Sequence, residues 1–499
     1  MKTFKQKSLY AALAGVSALG VTGAAQAVNV NPDGLGQVLI YPYYTTRVDK
    51  SGNAYSSLLT VVNSTASAKA VKVRFIEGKN SEEVLDFNLF LSNHDVWTAA
   101  ILPTPDGGAG VGTFDKSCTV PTVSHDVNNL SEFVNVLLDD TVGDDSLDRT
   151  REGYAEVIEM GPIDPTSKTW TAITHVAGVP PCTASALTDA AVTSALDTSI
   201  DNPNLGGLFG DMTLINVNSG TDYTEDAVAL DNFRNAGAYD SPGNVTPDLK
   251  EAAPPISVTV IGNAVYQSRF NNGVNVNTFD AISALFMHDH VYNTFVLDSA
   301  TKSGTDWVLN FPTKRYYYTF VGAKGNQTAT SYLFQRNLII NQGACDDVAA
   351  TLYDREENTA VTQVGFSPSV PGKANTLCWE ANVLTFNASQ VLGSTNNRNV
   401  QTGFADGWAD LNFVLPTTTT TYQGAPGTFG HQLRAADTTI TPIGGSSTTF
   451  GLATYFGLPV IGFAVESYQN GVLAGNVLSN YGGNFVHKGT RSISFIPTP

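Results

Sequence analysis

Two short stretches decide the fold class: Val71-Lys72-Val73-Arg74-Phe75 and Leu85-Asp86-Phe87-Asn88-Leu89. Each stretch alternates apolar and polar residues strictly, and this period of two is typical of a β-strand that buries one face. The turn Gly78-Lys79-Asn80 lies between them. The pattern therefore predicts antiparallel strands of a half-buried sheet, with valine and phenylalanine on the core side and the charged residues on the other.

Strand-like sequence continues on both sides, over residues 35–45, 55–63 and 95–98, with turn residues between the segments. Short strands separated by turns are typical of a β-sandwich. We therefore predict one immunoglobulin-like β-sandwich over residues 28–105.

The rest of the chain divides into two further regions. Residues 106–250 are rich in Gly, Asp, Asn and Pro, which predicts an acidic, loop-rich region with short β and α elements, including a helix over Thr188–Asp197. Residues 251–499 predict a second β-rich domain, interrupted by one helix over Phe279–Thr294. The predicted fold class is all-β, mainly antiparallel β-sandwiches, with long loops and a few short helices.

The first 27 residues have the order of a secretory signal peptide. Lys2, Lys5 and Lys7 precede a short apolar stretch, and Ala25-Gln26-Ala27 is a small-residue cleavage site. The apolar stretch is too short to span about 30 Å of hydrocarbon. We therefore predict an exported protein that begins at Val28 and resides at the cell surface or outside the cell.

The charge balance restricts the partners. The full chain has 27 basic and 45 acidic residues and a net charge of −18. Without residues 1–27, three lysines are lost and the net charge is about −21. Nucleic-acid binding needs a basic footprint, so we predict no nucleic-acid partner. No later apolar run is long enough for a transmembrane helix.

The four cysteines predict disulfides, because their number is even and the chain is predicted to be exported. Three pairings are possible. We predict Cys118–Cys182 and Cys345–Cys378, which close the shortest loops.

Two clusters are candidates for metal binding. Calcium takes six to eight oxygen ligands, and an acidic loop supplies candidate ligands for it, namely Asp139, Asp140, Asp144, Asp145 and Asp148. The alternative is a solvated acidic loop without a metal. His288 and His290 would share a face on a strand, but they diverge on the predicted helix. Apart from this candidate calcium ion, no cofactor is predicted.

No hydrolase motif is present: the sequence contains neither G-x-S-x-G nor H-E-x-x-H. We therefore predict no catalytic residues and no enzyme activity.

Several segments together carry a resemblance to a known family. They are Gly36–Tyr44, Ala70–Phe75, Glu77–Ser81, Leu91-Ser92, His94–Trp97, Gly153-Tyr154, Glu156–Gly161, Thr305–Val308, Phe311–Lys314 and Leu458–Phe463. On these segments the chain resembles the secreted proteobacterial proteins usually called cell surface proteins. The resemblance implies a location at the cell surface and a structural or adhesive role. It implies no reaction and supplies no catalytic residues.

We therefore expect a surface protein that self-assembles into a layer or filament, or that mediates adhesion, with copies of itself or other surface components as partners. Val28–Asn31 is a candidate strand donor for such an assembly. One alternative is a secreted carbohydrate- or metal-binding module, whose candidate stacking residues are Trp97, Trp170, Trp307, Trp379 and Trp408. Another is a β-barrel of the cell outer membrane.

Overall fold

The structure is a computed structural model. It describes residues 27–138, 144–270, 277–319, 328–329, 333–334, 336–338, 343–359, 366–367, 375–414, 418–422, 425–429, 431–473 and 477–495. The predicted signal peptide, residues 1–27, lies outside the described residues except for Ala27.

Two antiparallel sheets form a β-sandwich from the first half of the chain. Its strands are β1 (Asn29–Val30), β2 (Val38–Thr45), β3 (Ser56–Asn63), β4 (Lys69–Glu77), β5 (Glu83–Leu91), β6 (Val96–Pro103), β7 (Ala109–Gly112), β8 (Cys118–Val120), β9 (Ser131–Glu132), β10 (Glu152–Pro162), β11 (Leu208–Phe209), β12 (Asp211–Asn216), β13 (Thr221–Asp226) and β14 (Val228–Asp231). One seven-stranded sheet has the order β1-β14-β2-β10-β4-β5-β8. The other has the order β13-β12-β3-β6-β7-β9, with β11 paired to β3.

The sandwich does not end at residue 105, where the sequence predicted a domain boundary. Strands β7 to β14 belong to residues 106–250, and β10 is a central strand between β2 and β4. An immunoglobulin-like sandwich has about seven to nine strands, so this one is larger than predicted. The misplaced boundary follows from long-range pairing, because local periodicity does not report which distant strand completes a sheet.

The space between the two sheets is filled by the residues that the alternation assigned to the core. Val71, Val73 and Phe75 of β4 are buried there together with Phe87 and Trp97. The rings of Phe87 and Trp97 are 5.6 Å apart in an edge-on arrangement, which aromatic pairs prefer.

The polar face of the first sheet is also buried, and the prediction of a half-buried sheet is wrong here. Lys72 and Arg74 are buried. Lys72 Nζ lies 2.6 Å from Asp86 Oδ2 and also donates to the carbonyl oxygens of Ser241 and Asn244. Because each cation has a carboxylate partner and further hydrogen bonds, the charges can be removed from water.

The second half of the chain forms several smaller sheets. Its strands are β15 (Ile256–Ile261), β16 (Ala264–Arg269), β17 (Met287–His288), β18 (His290–Val296), β19 (Gly304–Asn310), β20 (Tyr318–Thr319), β21 (Thr328–Ala329), β22 (Asp346–Asp347), β23 (Ala349–Tyr353), β24 (Phe366–Ser367), β25 (Thr376–Leu377), β26 (Ala381–Phe386), β27 (Asn397–Val400), β28 (Asp406–Asn412), β29 (Thr418–Tyr422), β30 (Ala425–Phe429), β31 (Gln432–Ala435), β32 (Asp437–Pro442), β33 (Thr448–Phe450), β34 (Ala453–Phe456), β35 (Leu458–Pro459), β36 (Phe463–Leu473), β37 (Val477–Val486), β38 (Lys488–Thr490) and β39 (Ser492–Phe495).

The larger of these sheets have four and six strands. Their orders are β24-β27-β26-β19-β36-β37, β15-β16-β32-β33 and β23-β28-β18-β38. A three-stranded sheet, β31-β34-β39, and the two-stranded pairs β17-β35, β20-β21, β22-β25 and β29-β30 complete the set in the described part of the chain. The all-β prediction is confirmed.

The helices are short, as predicted. They are α1 (Lys168–Ile173), α2 (Asp189–Ala195) and α3 (Thr278–Phe286), with 3₁₀ turns at Leu147–Arg151, Ala184–Ala186, Leu249–Glu251 and Lys314–Tyr317. The predicted helix over Thr188–Asp197 is confirmed as α2, and Thr188 caps it by accepting a hydrogen bond from the Ala191 amide. None of the described helices is long and apolar enough to span a membrane.

The predicted helix over Phe279–Thr294 is wrong in its second half. Helix α3 ends at Phe286, and the chain continues as strands β17 and β18. In β18, Val291 and Phe295 are buried in a core while Tyr292 and Thr294 lie on the other face. This alternation fits a strand and not a helix.

The two halves of the chain share a hydrophobic core. Val38, Ile40 and Tyr154 of the sandwich's first sheet pack in the same cluster as Leu285 and Trp307 of the second half. The second half therefore covers the outer face of that sheet.

The predicted strand donor is paired within its own chain. Asn29 and Val30 form β1, which pairs with Asp231 and Leu230 of β14. Val28 bridges to Ser257. The segment is therefore not free to complete a neighbouring subunit.

Candidate functional site

The predicted disulfides are present: Cys118 is bonded to Cys182, and Cys345 to Cys378. Two disulfides are consistent with an extracellular location.

The acidic cluster is only partly described. Asp139 and Asp140 lie outside the described residues. Asp144 Oδ2 is 2.7 Å from Lys79 Nζ, and Asp148 Oδ2 is 2.6 Å from Arg47 Nη1. Within the described ranges, no three carboxylate, histidine or cysteine side chains converge as metal ligands. The calcium site, which also included Asp145, stays a prediction.

The two neighbouring histidines face different surroundings. His288 Nδ1 contacts the Phe286 carbonyl oxygen at 2.8 Å, whereas His290 Nδ1 lies 2.8 Å from Asp410 Oδ1. They belong to different sheets, since β17 pairs with β35 and β18 with β28.

The tryptophans separate into core and surface residues. Trp97 and Trp307 are fully buried, and Trp170 and Trp379 are partly buried. Trp408 is 40 % exposed. Only Trp408 among the five therefore presents a large open surface.

Trp408 belongs to a sheet whose two faces differ sharply. It lies on the central strand β28, directly opposite Thr294 of β18 and Tyr353 of β23. Directly opposed residues project to the same face of a sheet. The other face carries Val291, Phe295, Leu352, Ala409 and Leu411, and all five are buried in the core. The sheet is thus anchored by one face and presents the other outward.

The outward face carries a row of rings, which we call the aromatic face: His290, Tyr292, Trp408 and Tyr353. The Trp408 and Tyr353 rings are stacked, with centroids 4.3 Å apart and planes at 12°. Tyr292 lies 6.1 Å from Trp408 and 6.0 Å from His290, to which its ring is nearly parallel. Because the rings stand on three paired strands, the sheet holds their spacing fixed.

Polar groups border the aromatic face. Asp410, Asn412 and Thr351 share its side of the sheet, since the register sets Asp410 opposite Tyr292 and Thr351, and Asn412 opposite His290. At the other border Thr294 donates a hydrogen bond to Glu466 Oε1 at 2.9 Å. The arrangement suits a ligand that offers a flat apolar surface to the rings and polar groups at its edges.

Trp408 was a candidate from the sequence, but the other residues of the aromatic face were not predicted to lie beside it. The stretches 349–353 and 406–412 were not predicted as strands, and β18 was predicted as helix. The alternation of Val291 and Phe295 with polar residues was the available signal for β18. Nothing local to Tyr353 indicates that it meets a residue 55 positions later in the chain.

The chain matches no protein-family model, no curated protein and no solved structure.

Proposed function

We propose that this chain is an exported, cell-surface adhesive protein that binds a neutral polysaccharide through the aromatic face. The stacked pair of Trp408 and Tyr353 on an outward sheet face carries the proposal. Two disulfides support a location outside the cytosol.

The chemistry of a sugar ring matches that of the face. A pyranose has an apolar surface of C–H groups and a rim of hydroxyl groups. The C–H surface packs against an aromatic ring, and the hydroxyl groups find acceptors and donors at the border, where Asp410, Asn412 and Thr351 lie. Rigid rings on paired strands lose little conformational entropy on binding.

The shape and charge of the face narrow the ligand class. A sheet face is flat, so it accommodates an extended chain or the surface of an insoluble polymer. The protein has a net charge of −18. On the face itself, Asp410 and Lys488 lie on either side of Tyr292, and Glu466 lies at one border. An anionic polysaccharide would be repelled, so the proposal specifies a neutral one.

The test is a binding assay with the mature full chain and insoluble cellulose, chitin and soluble neutral glucans. We expect binding to at least one polymer, accompanied by a change in tryptophan fluorescence. Trp408→Ala should weaken binding about tenfold or more, because one stacked ring contributes on the order of 1 kcal/mol beyond its area.

The matched control is Phe114→Ala, which removes another exposed aromatic ring, 71 % exposed and remote in sequence from the face. This variant should bind as the unmodified protein does. Equal binding by the Trp408→Ala and unmodified proteins, or no binding to any neutral polymer, would contradict the proposal.

Self-association is a second candidate. Tyr481 and Phe485 lie on the same side of β37, the outermost strand of the six-stranded sheet, and are 57 % and 42 % exposed. Exposed apolar side chains on a sheet favour association. Light scattering and negative-stain microscopy of the purified chain test it: the expected assemblies should dissociate in the double variant Tyr481→Ser and Phe485→Ser. A monomeric unmodified protein would refute it.

A further inference from the structure

A cavity of about 470 Å³ lies where the edge of the sandwich meets the second half of the chain. Its walls come from β1 and β14 on one side and from β15, the end of α3 and residues 486–491 on the other. Most of the lining is aliphatic or aromatic and includes Val228, Val258, Leu285, Phe286, Val291 and Val460. Cavities of this size and character hold small organic molecules.

The cationic residue Arg491 lines one part of this apolar cavity. Arg491 donates from Nη2 to the Leu285 carbonyl oxygen at 2.6 Å, while its Nη1 is buried and has no hydrogen-bond partner. Among the described residues, Arg491 forms no ion pair with a carboxylate, whereas the charge of the neighbouring Lys488 acts to lower the pKa of the Glu225 carboxyl. The other buried cations described above, Lys72 and Arg74, have carboxylates at 2.6 Å. A guanidinium in apolar surroundings without a counter-ion is unfavourable unless an anion joins it.

The remaining polar side chains of the lining do not neutralise Arg491. His288 donates from Nδ1 to the Phe286 carbonyl, and burial lowers its pKa to about 3, so the ring is neutral and its Nε2 is an acceptor. Glu225 accepts a hydrogen bond from Asn484 Nδ2 at 2.6 Å, and burial raises the pKa of its carboxyl to about 7.

We propose that this cavity binds a small amphiphilic acid, with its apolar body against the aliphatic lining and its anionic group at Arg491. The apolar lining supplies most of the affinity through burial of hydrocarbon. The guanidinium selects the charged end, because a charge-assisted hydrogen bond in apolar surroundings is strong. This site is separate from the aromatic face and does not depend on the polysaccharide proposal.

The test uses two probes of equal chain length, decanoate and decanol, in competition with the fluorescent anion 8-anilinonaphthalene-1-sulfonate on the full mature chain. We expect saturable binding of the dye and displacement by decanoate at a concentration at least tenfold lower than by decanol. Arg491→Gln should reduce decanoate affinity at least tenfold and leave decanol affinity within about twofold.

Lys116→Gln is the matched control, since it removes one positive charge from an exposed position in the sandwich half. It should leave both affinities unchanged. Should Arg491→Gln fail to fold, Arg491→Met, which replaces the buried charge by an apolar side chain, is expected to weaken decanoate binding and leave decanol binding unchanged. Equal affinity of the unmodified protein for decanoate and decanol, or no saturable dye binding, would overturn the proposal.

Discussion

Arg74 Nη1 lies 2.6 Å from Glu156 Oε2, and the two residues stand directly opposite each other on β4 and β10. Arg74 Nε is also 2.6 Å from Glu83 Oε2, and all three residues are buried. The outer face of the sandwich's first sheet is therefore an internal layer in which buried cations contact buried carboxylates. The burial of this layer depends on these contacts, because an unpaired charge there would be costly.

Arg74→Met should destabilise the fold by about 3–5 kcal/mol, since it leaves two buried carboxylates without their cation. Urea unfolding at neutral pH measures the loss. Arg269→Met is the control: its side chain is 58 % exposed and 3.8 Å from Asp437, so the change should be below about 1 kcal/mol. Similar losses in the two variants would show that the buried pairs contribute no more than a surface pair.

Glu380→Gln should stabilise the protein at alkaline pH. Both carboxyl oxygens of Glu380 are buried without a hydrogen-bond partner in the described structure, and burial raises the pKa of Glu380 from 4.5 to about 8. The folded chain therefore retains a proton that the unfolded chain loses, and this group lowers the stability progressively as the pH rises from 4.5 towards 8.

Melting temperatures at pH 5 and pH 9 test this prediction. The melting temperature of the variant should equal that of the unmodified protein at pH 5 and exceed it by several degrees at pH 9. Glu356→Gln, at an exposed loop position, should have no such effect. A variant that melts lower than the unmodified protein at pH 9 would mean that the Glu380 charge is stabilising.

The negative charge of Glu152, unlike that of Glu380, is expected to stabilise the fold. Its carboxylate lies 3.1 Å from Arg47 Nε and accepts hydrogen bonds from Tyr43, Ser394 and Thr395. Arg47 and these donors offset the cost of burial and lower the pKa of Glu152 below 4.5. Its contribution to stability is therefore present above pH 4.5 and lost as the pH falls through the lowered pKa.

Glu152→Gln should accordingly cost about 3 kcal/mol at pH 7, and the difference from the unmodified protein should shrink towards pH 3. Urea unfolding at the two pH values measures both quantities. A cost that is the same at pH 3 and pH 7 would contradict a role for the charge.

Removing the Cys118–Cys182 disulfide with the double variant Cys118→Ser and Cys182→Ser should destabilise the fold by about 2–4 kcal/mol. The bond joins cysteines 64 residues apart and ties the edge strand β8 to the segment that follows α1. The urea midpoint of the variant should equal that of the unmodified protein under reducing conditions that cleave this bond alone. An unchanged midpoint in the variant would show that the cross-link adds no stability.

Much of the β-structure was predictable because strands leave a local periodic signal. The alternation at Val71–Phe75 correctly identified the core residues of β4, and Thr188 correctly marked the start of α2. The disulfide pairing followed from loop length alone. In each case the determining interactions lie within one short stretch or depend only on the spacing of residues along the chain.

The sequence by itself determined the strand period, the core-facing residues and the cysteine pairs. Tertiary structure alone decided that Lys72 and Arg74 are buried, because the segments that cover them come from far along the sequence, as Ser241 and Asn244 do at Lys72. It likewise brought Tyr353 onto Trp408 and left Arg491 beside an apolar cavity. These features arise where strands that are distant in the sequence come into contact, and the packing of the whole chain determines those contacts. The local sequence pattern specifies only which face of each strand is apolar.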